Sequence, residues 1–107
     1  MRVSVTRGGG FGGLIRTTTA DTAWLSPGDR QEMQALVRRS GLEDDRPGPE
    51  AGEPEPDRFT YTVTVEDQGH RHVATFPEQS LPGEVRDLIS WVSRVDGRQD
   101  SVEPPGR

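Results

Sequence analysis

The chain has 107 residues, 29% of them apolar, no cysteine and a net charge of −5. A chain of this length makes one domain that buries roughly two-thirds of its unfolded surface, and without Cys it has no disulfide, thiolate nucleophile or cysteine-ligated zinc. No run approaches the ~18 apolar residues of a membrane span, and Met1-Arg2-Val3 opens an alternating pattern and not a signal peptide, so the expected location is cytoplasmic.

From Met1 to Arg7 the residues alternate, with Met1, Val3 and Val5 on one face and Arg2, Ser4 and Thr6 on the other. This period of two predicts a half-buried strand. Gly8-Gly9-Gly10-Phe11-Gly12-Gly13 follows, and then a second β-rich run from Leu14 to Thr19. Two strands joined through glycines read as a hairpin, the glycines supplying the positive φ of the reversal.

Ser26-Pro27-Gly28-Asp29 is a helix start. Ser26 caps, Pro27 suits the first helical position, and Asp29 favours the positive end of the dipole. Met33, Leu36 and Val37 recur at helical spacing, Arg38 and Arg39 sit at the far end, and Gly41 is the left-handed stop with Leu42 folding back on Val37.

Residues 40–57 carry one Arg against seven acids, so most of the negative charge lies in this short segment. Its 43–57 portion also holds Pro47, Pro49, Pro54 and Pro56 and shows no periodicity, which predicts a mobile acidic loop. Residues 1–39 carry six Arg against three acids, and residues 58–107 six against eight. No Arg cluster is interleaved with aromatics, so a nucleic-acid surface is not indicated.

Arg58 to Glu66 is the clearest strand, with Phe59, Tyr61, Val63 and Val65 on one face and Thr60, Thr62 and Thr64 on the other. Asp67-Gln68-Gly69 makes a turn, and His70 to Phe76 returns as a fourth strand. A second helix starts near Leu81-Pro82. Val85, Leu88, Ile89, Val92 and Val95 form its apolar stripe, and Gly97 ends it. Residues 98–107 read as a disordered tail.

The predicted order is therefore ββαββα, an α+β fold. A four-stranded, mostly antiparallel sheet carries two helices packed on one face, in a single domain over 1–97. Trp91 lies at the boundary of the second helix stripe, and Trp24, just before the first helix cap, is a further core candidate.

Three patterns invite chemistry. Gly8-x-Gly10-x-x-Gly13 after a strand matches the dinucleotide fingerprint in letters, but that fingerprint needs a helix next, and Leu14-Ile15-Arg16-Thr17-Thr18-Thr19 is strand-forming. No cofactor is expected. His70 and His72 lie two apart and so share a strand face. With Glu66 or Asp67 they could make at most a weak metal site, because structural zinc wants four ligands and catalytic zinc three plus water, and no metal is expected. No Ser or Thr has a plausible base, and a small sheet with one covered face offers no deep pocket, so the chain is not expected to be an enzyme.

The glycine loop remains. Phe11 stands among five glycines, a large apolar side chain that either folds back to cap the sheet or is presented to a partner as an anchor.

The opening Met1-Arg2-Val3-Ser4-Val5-Thr6-Arg7, then Gly9-Gly10-Phe11-Gly12-Gly13-Leu14, resembles the emfourin family. Arg58-Phe59-Thr60-Tyr61-Thr62-Val63-Thr64-Val65 and the closing Ser80-Leu81-Pro82 with its helix carry the same likeness, which covers residues 1–95 in element order. The acidic, proline-rich insert and the Gly13 before Leu14 depart from the family pattern. The resemblance implies an inhibitor of thermolysin-like zinc metallopeptidases, of which protealysin is the namesake target, with the zinc belonging to the enzyme. The partner-binding residues it implies are Gly9, Gly10, Phe11, Gly12, Gly13 and Leu14, with Phe11, or alternatively Leu14, filling the enzyme's primary apolar pocket. The free protein is expected to be a monomer. The competing reading is a non-enzymatic interaction module with an unrelated protein partner, for instance through sheet-edge pairing.

Overall fold

The computed structural model of the chain describes residues 1–9, 15–42 and 59–103. Strands β1 (Arg2–Gly9) and β2 (Ile15–Asp21) are followed by a single 3-10 turn (Thr22–Trp24) and helix α1 (Pro27–Ser40). Strands β3 (Phe59–Asp67) and β4 (His70–Pro77) lead through a second 3-10 turn (Glu78–Ser80) to helix α2 (Gly83–Val92) and strand β5 (Gln99–Glu103).

The strands form one sheet in the order β4-β3-β1-β2-β5, with antiparallel neighbours throughout. The α+β class, the two helices and the antiparallel sheet agree with the sequence reading, but among the described residues the sheet has five strands and not four. The fifth comes from residues 99–103, so this part of the expected disordered tail is ordered. Its sequence, Gln-Asp-Ser-Val-Glu, has one apolar residue and no visible alternation. As an edge strand it is held by pairing with β2 and not by burial, and charged residues on an edge are what discourages further pairing.

Register explains the layers. Val3 pairs with Ala20 and Val65, and Val5 with Thr18 and Val63. Directly opposed residues share a face, so these side chains and Phe76 point the same way, and all are buried. Met33, Leu36 and Val37 of α1 and Val85, Leu88, Trp91 and Val92 of α2 join them in one cluster, which places both helices on that face. On the opposite face hydroxyls pair across strands: Ser4 with Thr19 at 3.3 Å, Thr6 with Thr17 at 3.3 Å, and Thr62 with Thr75 at 3.2 Å. Such cross-strand pairs each add about 0.2–1 kcal/mol.

The punctuation of α1 is as the sequence indicates. Ser26 Oγ accepts from the Asp29 N–H at 3.2 Å, Pro27 opens α1, and Gly41 closes it at φ 71°. The β3–β4 turn has Gln68 at φ 51° and Gly69 at φ 81°, the two positive angles that a tight two-residue hairpin requires. Helix α2 stops at Val92, earlier than Gly97, yet Val95 beyond it is buried. Gly97 instead serves the turn into β5. It has φ 89°, and a Cβ there would lie 2.7 Å from the Trp24 carbonyl oxygen.

Trp24 departs from its expected core place, being 38% exposed. Asp21 caps the short turn by accepting from the Ala23 N–H at 2.9 Å, which swings residues 22–24 past the end of β2 and leaves Leu25 to enter the core. The Trp24 ring instead lies 5.7 Å from the Arg2 guanidinium. Trp91 is buried, as its boundary position predicts. The expected mobile loop over 43–57 lies outside the described residues.

Candidate functional site

Gly10, Phe11, Gly12, Gly13 and Leu14 lie outside the described residues, and the two ends that hold them do not. Gly9 is the last residue of β1 and Ile15 the first of β2. The two strands sit in the interior of the sheet, so each is bonded on both sides. Strand β1 pairs with β3 as far as Gly9 opposite Phe59, and β2 pairs with β5 as far as Ile15 opposite Glu103. The ladder therefore runs to both roots of the connection. The flanking strand β3 supplies the tall apolar and threonine side chains of its pattern, while β5 supplies mainly backbone bonds.

One polar contact fastens β5 in place. Thr18 is 6% exposed and faces inward, and its Oγ1 donates to Asp100 Oδ1 at 2.8 Å. Asp100 Oδ2 meets Arg98 Nε at 3.2 Å, so both carboxylate oxygens are engaged. A buried hydroxyl with no partner would cost about 1–3 kcal/mol, and this bond avoids it.

The same end of the sheet carries two arginines. Arg7 pairs with Arg16 across β1 and β2 and with Tyr61 across β1 and β3. The Arg7 guanidinium lies 4.0 Å from the Phe59 ring centroid. Beside them is an open pocket of about 240 Å³ bounded by Arg7, Arg16, Tyr61, Ser90, Ser93 and Asp100.

The other end of the sheet is electrostatically closed. A pocket of about 300 Å³ there is bounded by Arg2, Asp21, Glu66, Asp67, His70 and Arg71 among others. Its charges are paired with one another: Arg2 Nε donates to Asp21 Oδ2 at 3.1 Å, and Arg71 Nε lies 4.0 Å from Glu66 Oε1. The Ala23 N–H, then the Arg2 side chain and charge, hold the Asp21 carboxyl below the usual aspartate range against the opposing effect of burial.

His70 and His72 do share a strand face, opposite Asp67 and Val65 respectively, with His70 exposed and His72 half-buried. Among the described residues no group of three or more His, Asp or Glu is placed to hold a metal ion. The features of this end of the sheet that sequence reasoning missed are β5 and the Arg7–Arg16 rung. The first has no hydrophobic signal, and the second exists only once the register is known.

Compared with known families, the chain matches the family model described as Emfourin over residues 5–93. The match begins within β1, contains β2, both helices and the β3–β4 pair, and ends before β5. No curated protein and no solved structure matches the chain.

Proposed function

Because this chain belongs to the Emfourin family, a family of protease inhibitors, we propose that it inhibits a thermolysin-like zinc metallopeptidase by lodging residues Gly9–Leu14 in the enzyme's active-site cleft. The observation that carries this reading is the ladder on both sides of the hairpin, which reaches Gly9 on one strand and Ile15 on the other. Fixing a residue's backbone costs about 1–2 kcal/mol in conformational entropy. Strand ends already paired at Gly9 and Ile15 need not be ordered on binding, so more of the contact energy appears as affinity.

The sequence of the connection suits the task. Phe11, or alternatively Leu14, supplies a bulky apolar side chain for the pocket that such enzymes use just beyond the scissile bond. The flanking glycines have no Cβ, which lets the inhibitor backbone approach the cleft floor and bring a carbonyl oxygen near the enzyme's own zinc. The chain contributes no nucleophile and no metal in this scheme; it occupies the site. In the free state it acts as a monomer, one hairpin for one cleft.

The test is titration of a thermolysin-like peptidase with the purified protein. One molar equivalent abolishing activity, with the protein recovered uncleaved, supports the proposal. Full activity in excess protein contradicts it.

A further inference from the structure

The rung nearest the loop roots sets Arg7 directly opposite Arg16. Like charges at such a pair weaken a sheet. The arrangement occurs in a chain with 18 acidic residues against 13 basic ones, and three of the ten arginines in the described residues pair with carboxylates: Arg2 with Asp21, Arg71 with Glu66 and Arg98 with Asp100. Among the ion pairs of the described residues, neither Arg7 nor Arg16 takes part.

Each of the two is held ready in a different way. The Arg7 guanidinium stacks 4.0 Å from the Phe59 ring centroid, which occupies its face and leaves its N–H edge to donate. Arg16 is exposed. Both border the 240 Å³ pocket, together with the hydroxyl-bearing Tyr61, Ser90 and Ser93. The carboxylate also present, Asp100, is already engaged by Thr18 and Arg98. Two guanidinium groups and three hydroxyls on one pocket wall, beside the apolar Val5 and Ile89, supply the donor chemistry that a carboxylate accepts, and charge-assisted bonds of this kind are the strong ones.

We propose that the pocket is a carboxylate subsite, and that an Asp or Glu side chain at the rim of the inhibited peptidase's cleft docks between Arg7 and Arg16 when the hairpin enters. The occupant follows from charge and from position. The rung lies two residues before Gly9 and one after Ile15, a rise of about 7 Å or less along the strand, so a cleft that takes the loop must bring its rim over this pocket. The assignment of the partner rests on the inhibitor reading, whereas the carboxylate chemistry of the pocket does not.

The test uses the full chain with Arg16→Ala, Arg16→Glu and Arg16→Lys, so that the stacked Arg7 stays untouched. Association rate and inhibition constant are measured from low to high salt against a peptidase that the unmodified protein inhibits. Arg16→Glu should slow association about tenfold or more at low salt and flatten the salt dependence. Arg16→Lys should keep most of the rate, with thermal unfolding unchanged in all three. Arg16→Glu matching the unmodified protein in rate and salt dependence would overturn the proposal.

A second readout needs no enzyme. Arginine Nε–Hε signals are followed by NMR during titration with a tetraglutamate peptide. Saturable shifts at Arg7 and Arg16, absent at Arg86 and Arg94 and lost in Arg16→Ala, support the subsite; no selective shift overturns it. Selective shifts in a protein that inhibits no peptidase would retain the carboxylate subsite and remove its peptidase partner. If Arg16→Ala instead moves signals of residues 43–57 in the free protein and leaves inhibition intact, the pair serves the chain's own acidic stretch and the proposal fails.

Discussion

The hydroxyl of Thr18 donates a 2.8 Å hydrogen bond to the carboxylate of Asp100, tying the fifth strand to the strand that leads into the glycine-rich connection. Thr18→Val keeps the shape and β-propensity of the side chain but removes the donor. A hydrogen bond to a charged group contributes about 1.5–3 kcal/mol, and Asp100 retains Arg98, so the loss should fall at the lower end. Urea unfolding should register it. Amide exchange should accelerate first at Gln99–Glu103, ahead of global unfolding; uniform acceleration across the sheet would mean that β5 is not a separate unit.

Gly97 is a position where glycine is required twice. Its φ of 89° strains any other residue, and an added Cβ would meet the Trp24 carbonyl oxygen at 2.7 Å, a backbone atom that has little room to move. Gly97→Ala should cost roughly 2–3 kcal/mol, read as a lower melting temperature. Gly28→Ala, which meets no atom within 4 Å, is the matched control and should be close to neutral.

The acid limb of stability should contain a contribution from Asp21. Its folded carboxyl is held below the usual range by the Ala23 N–H and by Arg2, so the folded state takes up its proton at lower pH than the unfolded chain does. The resulting stabilisation is complete above the unfolded value, near pH 4, and is lost as pH falls through the folded value. Asp21→Asn should therefore be less stable than the unmodified protein at pH 6, and the gap should narrow below about pH 4. A gap that is constant with pH would show that the side-chain shape matters and its charge does not.

Within the inhibitor reading, Phe11→Ala should weaken inhibition by roughly 2 kcal/mol or more, about thirtyfold, as removal of a buried aromatic anchor does. Leu14→Ala run beside it separates the two candidate anchors. A folded Phe11→Ala protein of undiminished potency would transfer the role to Leu14.

Much of the fold was legible because its signals are local. The Val3/Val5 and Val63/Val65 alternations announce strands with a buried face, and Ser26, Pro27 and Gly41 mark the limits of α1 through cap chemistry that acts within one turn. Strand β5 was not legible, because Gln99-Asp100-Ser101-Val102-Glu103 gains its order from Thr18 and the β2 backbone, partners some eighty residues away. Trp24 misled for a related reason: size and apolarity favour burial, but the Asp21 cap turns the chain outward there and Leu25 takes the inner place. The glycine-rich connection is a candidate from its composition and the family resemblance, and residues 10–14 lie outside the described residues. The Arg7–Arg16 rung was not legible, since nothing in either strand's pattern says that the two cations will stand opposite each other.

The most direct test of the inhibitor reading is an equivalence titration at nanomolar concentration of a thermolysin-like peptidase with a small peptide substrate. The account predicts a linear fall of activity that reaches zero near one equivalent, with the protein recovered intact. Undiminished activity at large excess, against both a general thermolysin-like enzyme and the one encoded in the same genome, would contradict it.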